Sequence, residues 1–277
     1  MKNILFIGNS HLIALIDAAK RRTGGGEVRL ETEFSWRAVA FRRYDFNLAS
    51  VTDEGCARML FILLGGAAPS LFHVNPQGQL GLSEAFVQEL REGAARFPAP
   101  LDSVVSYYHG NEHSIFSMVE HPVPFDFFVN AADTPSPSTK GPRQVVPLEV
   151  IKRELSVRAR ATVTYCQILK QLFPHQDVVH LMPPPPIGDE QQLRKNPEIF
   201  AYHFDVFGVA PPALRLKVYS LYVQILRDEL QAVGVRVITA PAQSQVDGFL
   251  RPDSWMESTH ANHRYGQMLL TELGAVV

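Results

Sequence analysis

Ser10 stands where a hydroxyl can be put to chemical use. Ile4-Leu5-Phe6-Ile7 reads as a buried strand, Gly8-Asn9-Ser10-His11 follows at once, and Leu12, Leu15, Ile16 and Ala19 then recur at helical spacing. A turn of this kind lifts a hydroxyl out at the carboxyl end of a sheet and aims backbone N–H groups at whatever it attacks. Two other segments carry side chains suited to the same reaction: Gly110-Asn111, after a predicted strand, and Glu257-Ser258-Thr259-His260 near the end of the chain. A serine hydroxyl is a weak nucleophile at neutral pH and needs a base that titrates near neutrality, which is the property of an imidazole. A carboxylate on the other ring nitrogen fixes the tautomer and stabilises the imidazolium, while an amide can meet the charge that develops on a carbonyl oxygen. In open α/β sheets ligands gather outside the carboxyl ends of the strands, so loops far apart in sequence can share one crevice there.

With these residues in this order, the chain resembles the SGNH hydrolases, the GDSL-type esterases. Gly8-Asn9-Ser10-His11 is similar to the family's nucleophile block, with Asn9 where Asp is commonest; Gly110-Asn111 is similar to the block that lends an asparagine to the oxyanion hole. Thr259-His260-Ala261-Asn262, followed by Tyr265-Gly266, is similar to the terminal block with the catalytic histidine. The resemblance implies a three-layer αβα sandwich of flavodoxin-like SGNH type with a mainly parallel sheet, as one domain over residues 1–277. It implies Ser10 as nucleophile and His260 as base. Glu257 stands where the family has its acid, with Asp253 in reserve, and the Ser10 N–H and the Asn111 amide would form the oxyanion hole. The family's second block, a glycine that adds a backbone donor, has no evident counterpart. No glycine stands near Ser35 to Ala40, and Gly55, Gly65 and Gly66 fit poorly by position. The expected activity is hydrolysis of an O-acyl ester, with acetyl as the expected acyl group, of a small molecule or carbohydrate through an acyl-enzyme. An acyltransferase using the same Ser-His pair and a degenerate, non-catalytic binding protein are the alternatives.

Each block has a plainer reading when taken alone. Asn9 and Ser10 could simply cap a helix, Gly110-Asn111 could be a turn, and Glu257 could be a helix-dipole partner. His109, Glu112, His113 and His121 invite a metal reading, but only His109 and His113 are four apart, with Gly110 between them where a turn is expected. Neither a metal nor a cofactor is expected. Gly24-Gly25-Gly26 follows a helix rather than a strand and is no phosphate loop.

Composition sets the outer bounds. The 277 residues are 46% apolar and 19% charged with a formal net charge of −2, ordinary for a globular enzyme and without the basic excess that nucleic acid requires. Cys56 and Cys166 form no C-x-x-C, no apolar run reaches the 18 residues of a spanning helix, and Met1-Lys2-Asn3 leads straight into the first strand. The expectation is a cytoplasmic protein with a small-molecule substrate and no nucleic-acid or membrane partner, its oligomeric state left open.

Strand and helix patterns alternate, which predicts a parallel sheet covered on both faces. Strands are expected at about 3–8, within 28–34, at 102–108, 177–181 and 235–239; helices to about 22, over 58–64, from 83, over 147–173, from 212 and over 262–273. A hairpin is expected over 71–82, turning at Asn75-Pro76-Gln77-Gly78, and long loops near 34–50, 113–146 and 183–211 are expected to shape the pocket. Phe116, Phe125, Phe127, Tyr202, Phe204 and Phe207 could line it or pack behind it.

Overall fold

The computed structural model describes residues 2–22, 31–36, 39–52, 55–64, 71–74, 80–108, 111–130, 133, 136 and 141–276, with backbone alone for 31–36, 39–52, 55, 56, 80, 275 and 276. The chain starts with β1 (Lys2–Gly8) and α1 (Leu12–Arg22), then runs through β2 (Glu31–Trp36), β3 (Val39–Thr52) and β4 (Gly55–Leu64). A hairpin of β5 (Phe72–Val74) and β6 (Leu80–Leu82) precedes α2 (Glu84–Ala95), β7 (Ser103–Tyr107) and the short α3 (Glu112–Ser117). Next come the paired β8 (Phe125–Asp126) and β9 (Gln144–Val145), then α4 (Leu148–Leu172) and β10 (Asp177–Leu181). Short α5 (Glu190–Lys195) and α6 (Ala201–Phe207) lead into α7 (Pro212–Ala232) and β11 (Arg236–Ile238). The hairpin of β12 (Gln245–Val246) and β13 (Phe249–Leu250) and then α8 (His263–Val276) close the chain.

One sheet of seven strands, in the order β11-β10-β7-β1-β4-β3-β2, forms the middle layer. Its five strands β11, β10, β7, β1 and β4 run parallel, while β3 and β2 complete one edge antiparallel. Counted along the chain, the parallel strands lie in the order 2-1-3-4-5, the flavodoxin-like winding. Crossovers of one hand that move in opposite directions from β1 must pass over opposite faces. Accordingly Leu5 and Ile7 of β1 face the cluster built with α2, α4 and α7, whereas Ile4 and Phe6 face the cluster built with α1 and α8. The alternation of β1 is thus apolar on both sides, as a strand covered on both faces requires. The winding reverses between β1 and β7, which opens a crevice at their carboxyl ends.

Close backbone approach fixes two glycines. Gly8 pairs with Tyr107 across β1 and β7, and a Cβ there would run into the Tyr107 carbonyl. A Cβ at Gly266 would run into the Ala14 carbonyl, so α8 lies on α1 at backbone contact.

The sequence expectations for β1, α1, β7, α4, β10, α7, β11 and α8 agree with the structure to within a few residues, as does the 71–82 hairpin, whose turn lies outside the described residues together with Gly24, Gly25 and Gly26. Two expectations need correction. Residues 58–64 are not helical but belong to β4, paired in parallel with β1; Met59, Leu60, Phe61 and Ile62 are all buried, so a run apolar on both faces carried no period to distinguish strand from helix. The segment 34–50 is not a loop, since it holds the end of β2 and most of β3. Ser83 does precede α2, but its hydroxyl makes no capping bond.

Beyond α3 the chain is held by buried charge. Arg143 donates to both carboxylate oxygens of Glu120 and to the Ser136 and Phe125 carbonyls. Asp126, fully buried, accepts from the Phe127 and Ser136 N–H groups at 2.8 and 2.6 Å and from the Lys217 ammonium of α7. Arg215, also in α7, is buried and donates to the carbonyls of Ala210, Ile187 and Gly188, fixing both ends of the segment between β10 and α7. Burial pushes its guanidinium down to about 10. Of the aromatic residues in these stretches, Phe127 and Phe204 are core, while Tyr202 is exposed.

Candidate active site

Ser10 follows β1 at the reversal point of the winding. Its carbonyl accepts from Ile13 N–H at 3.1 Å and the Asn9 carbonyl accepts from Leu12 N–H at 2.8 Å, so the residue forms the entry to α1. The Ser10 hydroxyl is exposed and lies 2.7 Å from Nε2 of His260. Residues 250 apart in sequence meet here because α8 lies on α1, and the loop before α8 is stitched tightly. The Trp255 indole donates to the Leu250 carbonyl at 2.7 Å, and the Asn262 amide donates to the Asp253 and Trp255 carbonyls. Asn262 Oδ1 accepts the Arg264 N–H at 2.8 Å at the start of the helix.

The opposite nitrogen of His260, Nδ1, lies 2.6 Å from Oε1 of Glu198. Glu198 begins a 3-10 turn in the segment between β10 and α7, and sequence reasoning passed over it. Its carboxylate also accepts the Thr259 N–H at 2.8 Å and the Thr259 hydroxyl at 2.9 Å, while Ser258 donates its N–H and hydroxyl to the Asn196 carbonyl. Two loops are thereby fastened side by side. Glu198 has φ +51°, the left-handed region that a residue with a Cβ enters at a cost of about 1 to 3 kcal/mol. Burial opposes its charge, but hydrogen bonds and attraction from His260 and bonds from Thr259 outweigh that and hold its carboxyl below the usual range. The available signal was Asn196-Pro197, a turn-starting pair, just before a carboxylate downstream of a central strand.

Glu257 is also near, its Oε2 3.3 Å from Nδ1, but it is more exposed and farther away than Glu198. Asp253 needs correction as the reserve acid, because its carboxylate faces Arg251 and Arg264 at 3.4 and 3.6 Å rather than the imidazole. Asn111 stands at the N-terminus of α3 just past β7, the strand beside β1; it is half-buried and its side chain makes no capping bond. Gly110 and His109 lie outside the described residues. So do Gly65 and Gly66. Gly55 starts β4, at the opposite end from the crevice.

His11 fills the floor behind the pair. It is buried, its ring centroid is 4.8 Å from that of His260, and it stacks on Tyr107 at 5.5 Å. Burial first, and then the neighbouring His260, lower its pKa to about 3, so it stays neutral. The floor therefore adds no positive charge against an imidazolium at His260.

The histidines considered for a metal do not assemble. His113 is buried against Tyr219 and Tyr222, and His121 bonds locally to Val123. Among the described residues, only Glu198, Glu257 and His260 bring three candidate ligand atoms within 4.8 Å of one another, and there the Nδ1 position is taken up by the bond to Glu198. A second Ser-His contact, Ser106 with His180 at 3.1 Å beside Cys166, is fully buried in the sheet core, and burial raises the Cys166 thiol to about 12. Those groups have neither access nor ionisation for catalysis. A cavity of about 360 Å³ between the β8–β9 pair and α4, with Phe116, Phe125 and Ile151 in its walls, is lined by none of Ser10, Glu198 or His260. Among the described residues, no helix is long and apolar enough to cross a membrane.

No protein-family profile and no curated protein matches the chain. Among solved structures it is similar to the periplasmic domain of a lipopolysaccharide acetyltransferase from Salmonella ser. Paratyphi A, at 12% identity and TM-score 0.46 over 99% of this chain and 83% of that one. It is similar also to a GDSL-like lipase from Bacteroides thetaiotaomicron, at 9% identity and TM-score 0.45 over 98% and 85%, and to an M. smegmatis aryl esterase, at 13% identity and TM-score 0.36 over 99% and 97%. An acetyltransferase domain, a GDSL-like lipase and an aryl esterase are thus what this chain is similar to, at low identity, and the chemistry proposed for its site rests on the distances among Ser10, His260 and Glu198.

Proposed function

We propose that this protein is a serine esterase that hydrolyses O-acyl esters through an acyl-enzyme. The observation that carries the reading is the continuous line from the Ser10 hydroxyl through His260 to the Glu198 carboxylate, with contacts of 2.7 and 2.6 Å. Nε2 of His260 takes the hydroxyl proton as Oγ bonds to the ester carbonyl carbon, and Glu198 holds the remaining ring proton on Nδ1 and stabilises the imidazolium. The tetrahedral oxygen gains negative charge, and the Ser10 N–H and the Asn111 amide are assigned to meet it. Collapse of the intermediate expels the alcohol, which leaves with the proton from Nε2. Water, activated by the same nitrogen, then attacks the acyl-serine and releases the acid.

Exposure of Ser10 favours hydrolysis over transfer to another alcohol, because an acyl-enzyme open to solvent meets water first. A small ester of the acetyl class is assigned as substrate. The test is release of p-nitrophenol from p-nitrophenyl acetate by wild type and Ser10→Ala. Turnover should fall by about a thousandfold or more in the variant. Equal release by both proteins would refute the assignment.

A further inference from the structure

Ser10 and Glu198 grip the His260 imidazole by its edge, at Nε2 and at Nδ1. Two such bonds leave a ring free to tilt about the line that joins its nitrogens, and only a surface against the ring face removes that freedom. His11 supplies the surface. Its ring centroid lies 4.8 Å from that of His260 with the planes 37° apart, a close tilted contact. His11 is held in turn: it follows Ser10 at the entry to α1, is 4% exposed, and stacks on Tyr107 of β7 at 5.5 Å and 29°. Nε2 of His11 is buried and makes no hydrogen bond among the described residues. A buried nitrogen without a partner costs stability, so this edge does not account for the residue, whereas its face does.

We propose that His11 is a positioning residue for the Ser10-His260 pair, holding the His260 ring by its face and offering a neutral aromatic surface to the imidazolium that forms as Ser10 attacks. This rests on the esterase reading of the same site. Burial, then the neighbouring His260, lower the His11 pKa to about 3, so the ring against His260 presents π electrons and no competing positive charge. Attraction between a cation and an aromatic face arises only once His260 holds its second proton, so the effect falls on kcat rather than on KM. Tilt acts at the same step, because proton transfer from Ser10 needs Nε2 aligned with the hydroxyl. A flat aromatic ring should therefore serve in place of His11, and an aliphatic side chain should not.

The experiment compares His11→Leu with His11→Phe in p-nitrophenyl acetate turnover, with the rate of Ser10 labelling by a fluorophosphonate as a second readout and thermal melts to establish folding. His11→Leu should lower kcat about tenfold with KM changed by about twofold or less, and should slow labelling by a similar factor. His11→Phe should bring both rates back to within about threefold of wild type. A role in packing alone would lower the melting temperature of His11→Leu and leave its kcat unmoved. Should His11→Phe fail to fold, the split between kcat and KM in His11→Leu, together with its labelling rate, decides the matter. Wild-type kcat in folded His11→Leu, a raised KM at constant kcat, or equal losses in His11→Leu and His11→Phe would overturn the role of His11 while leaving Ser10-dependent turnover intact. Turnover that survives Ser10→Ala, with no adduct on Ser10, would overturn the esterase reading, and the role of His11 with it.

Discussion

At the scale of single residues, the site joins side chains that the sequence displays to one that it hides. Ser10 and His260 could be picked out because a strand-turn-helix junction and a loop before the last helix carry their own local signatures. Glu198 could not be ranked above other acidic residues, since its importance comes from burial beside Thr259 and His260, 61 and 62 residues away. Its left-handed backbone is a second mark visible only in three dimensions. Asn111 stands at the start of α3, just past β7, where its amide is proposed as an oxyanion donor. Asn111→Ala should lower kcat for p-nitrophenyl acetate by about a hundredfold or more, the value of one oxyanion donor, with thermal stability little changed. A loss below about threefold would remove Asn111 from the mechanism.

At the scale of elements, errors of reading arose where local pattern is degenerate. β4 is apolar on both faces, and its neighbours β1 and β3 make it a strand. In β3, Tyr44, Phe46 and Leu48 alternate with Asp45 and Asn47, so a period of two lies within the stretch expected to be a loop. Among the described residues of 113–146, buried charge supplies the ties that join Glu120 to Arg143 and Asp126 to Lys217. Asp126 illustrates this: burial alone would raise its carboxyl, but Lys217 and the N–H groups of Ser136 and Phe127 lower it below the usual carboxylate range. A depressed folded pKa contributes stability that is present above the unfolded value of about 3.9 and is lost as pH falls through the folded value. Asp126→Asn should therefore cost about 2 to 4 kcal/mol at pH 7 in urea unfolding, and the difference from wild type should shrink as the pH is taken below 4. A constant difference from pH 7 to pH 3 would contradict the role given to the Asp126 charge.

At the scale of the whole molecule, the winding of five parallel strands decides where chemistry can occur. Reversal of the strand order between β1 and β7 places the segments after them, bearing Ser10 and Asn111, at one crevice, and α8 packed on α1 brings His260 to it. The class of sheet was legible from the alternation of strand and helix; the antiparallel edge of β2 and β3 was not, because pairing partners are a property of the assembled sheet. In the esterase reading, the Ser10 hydroxyl alone among the serines is made nucleophilic by its neighbours. Reaction of the folded protein with a fluorophosphonate probe, followed by peptide mass spectrometry, should give a single adduct on Ser10, lost in His260→Ala; an adduct on a different serine with Ser10 unmodified would refute that reading.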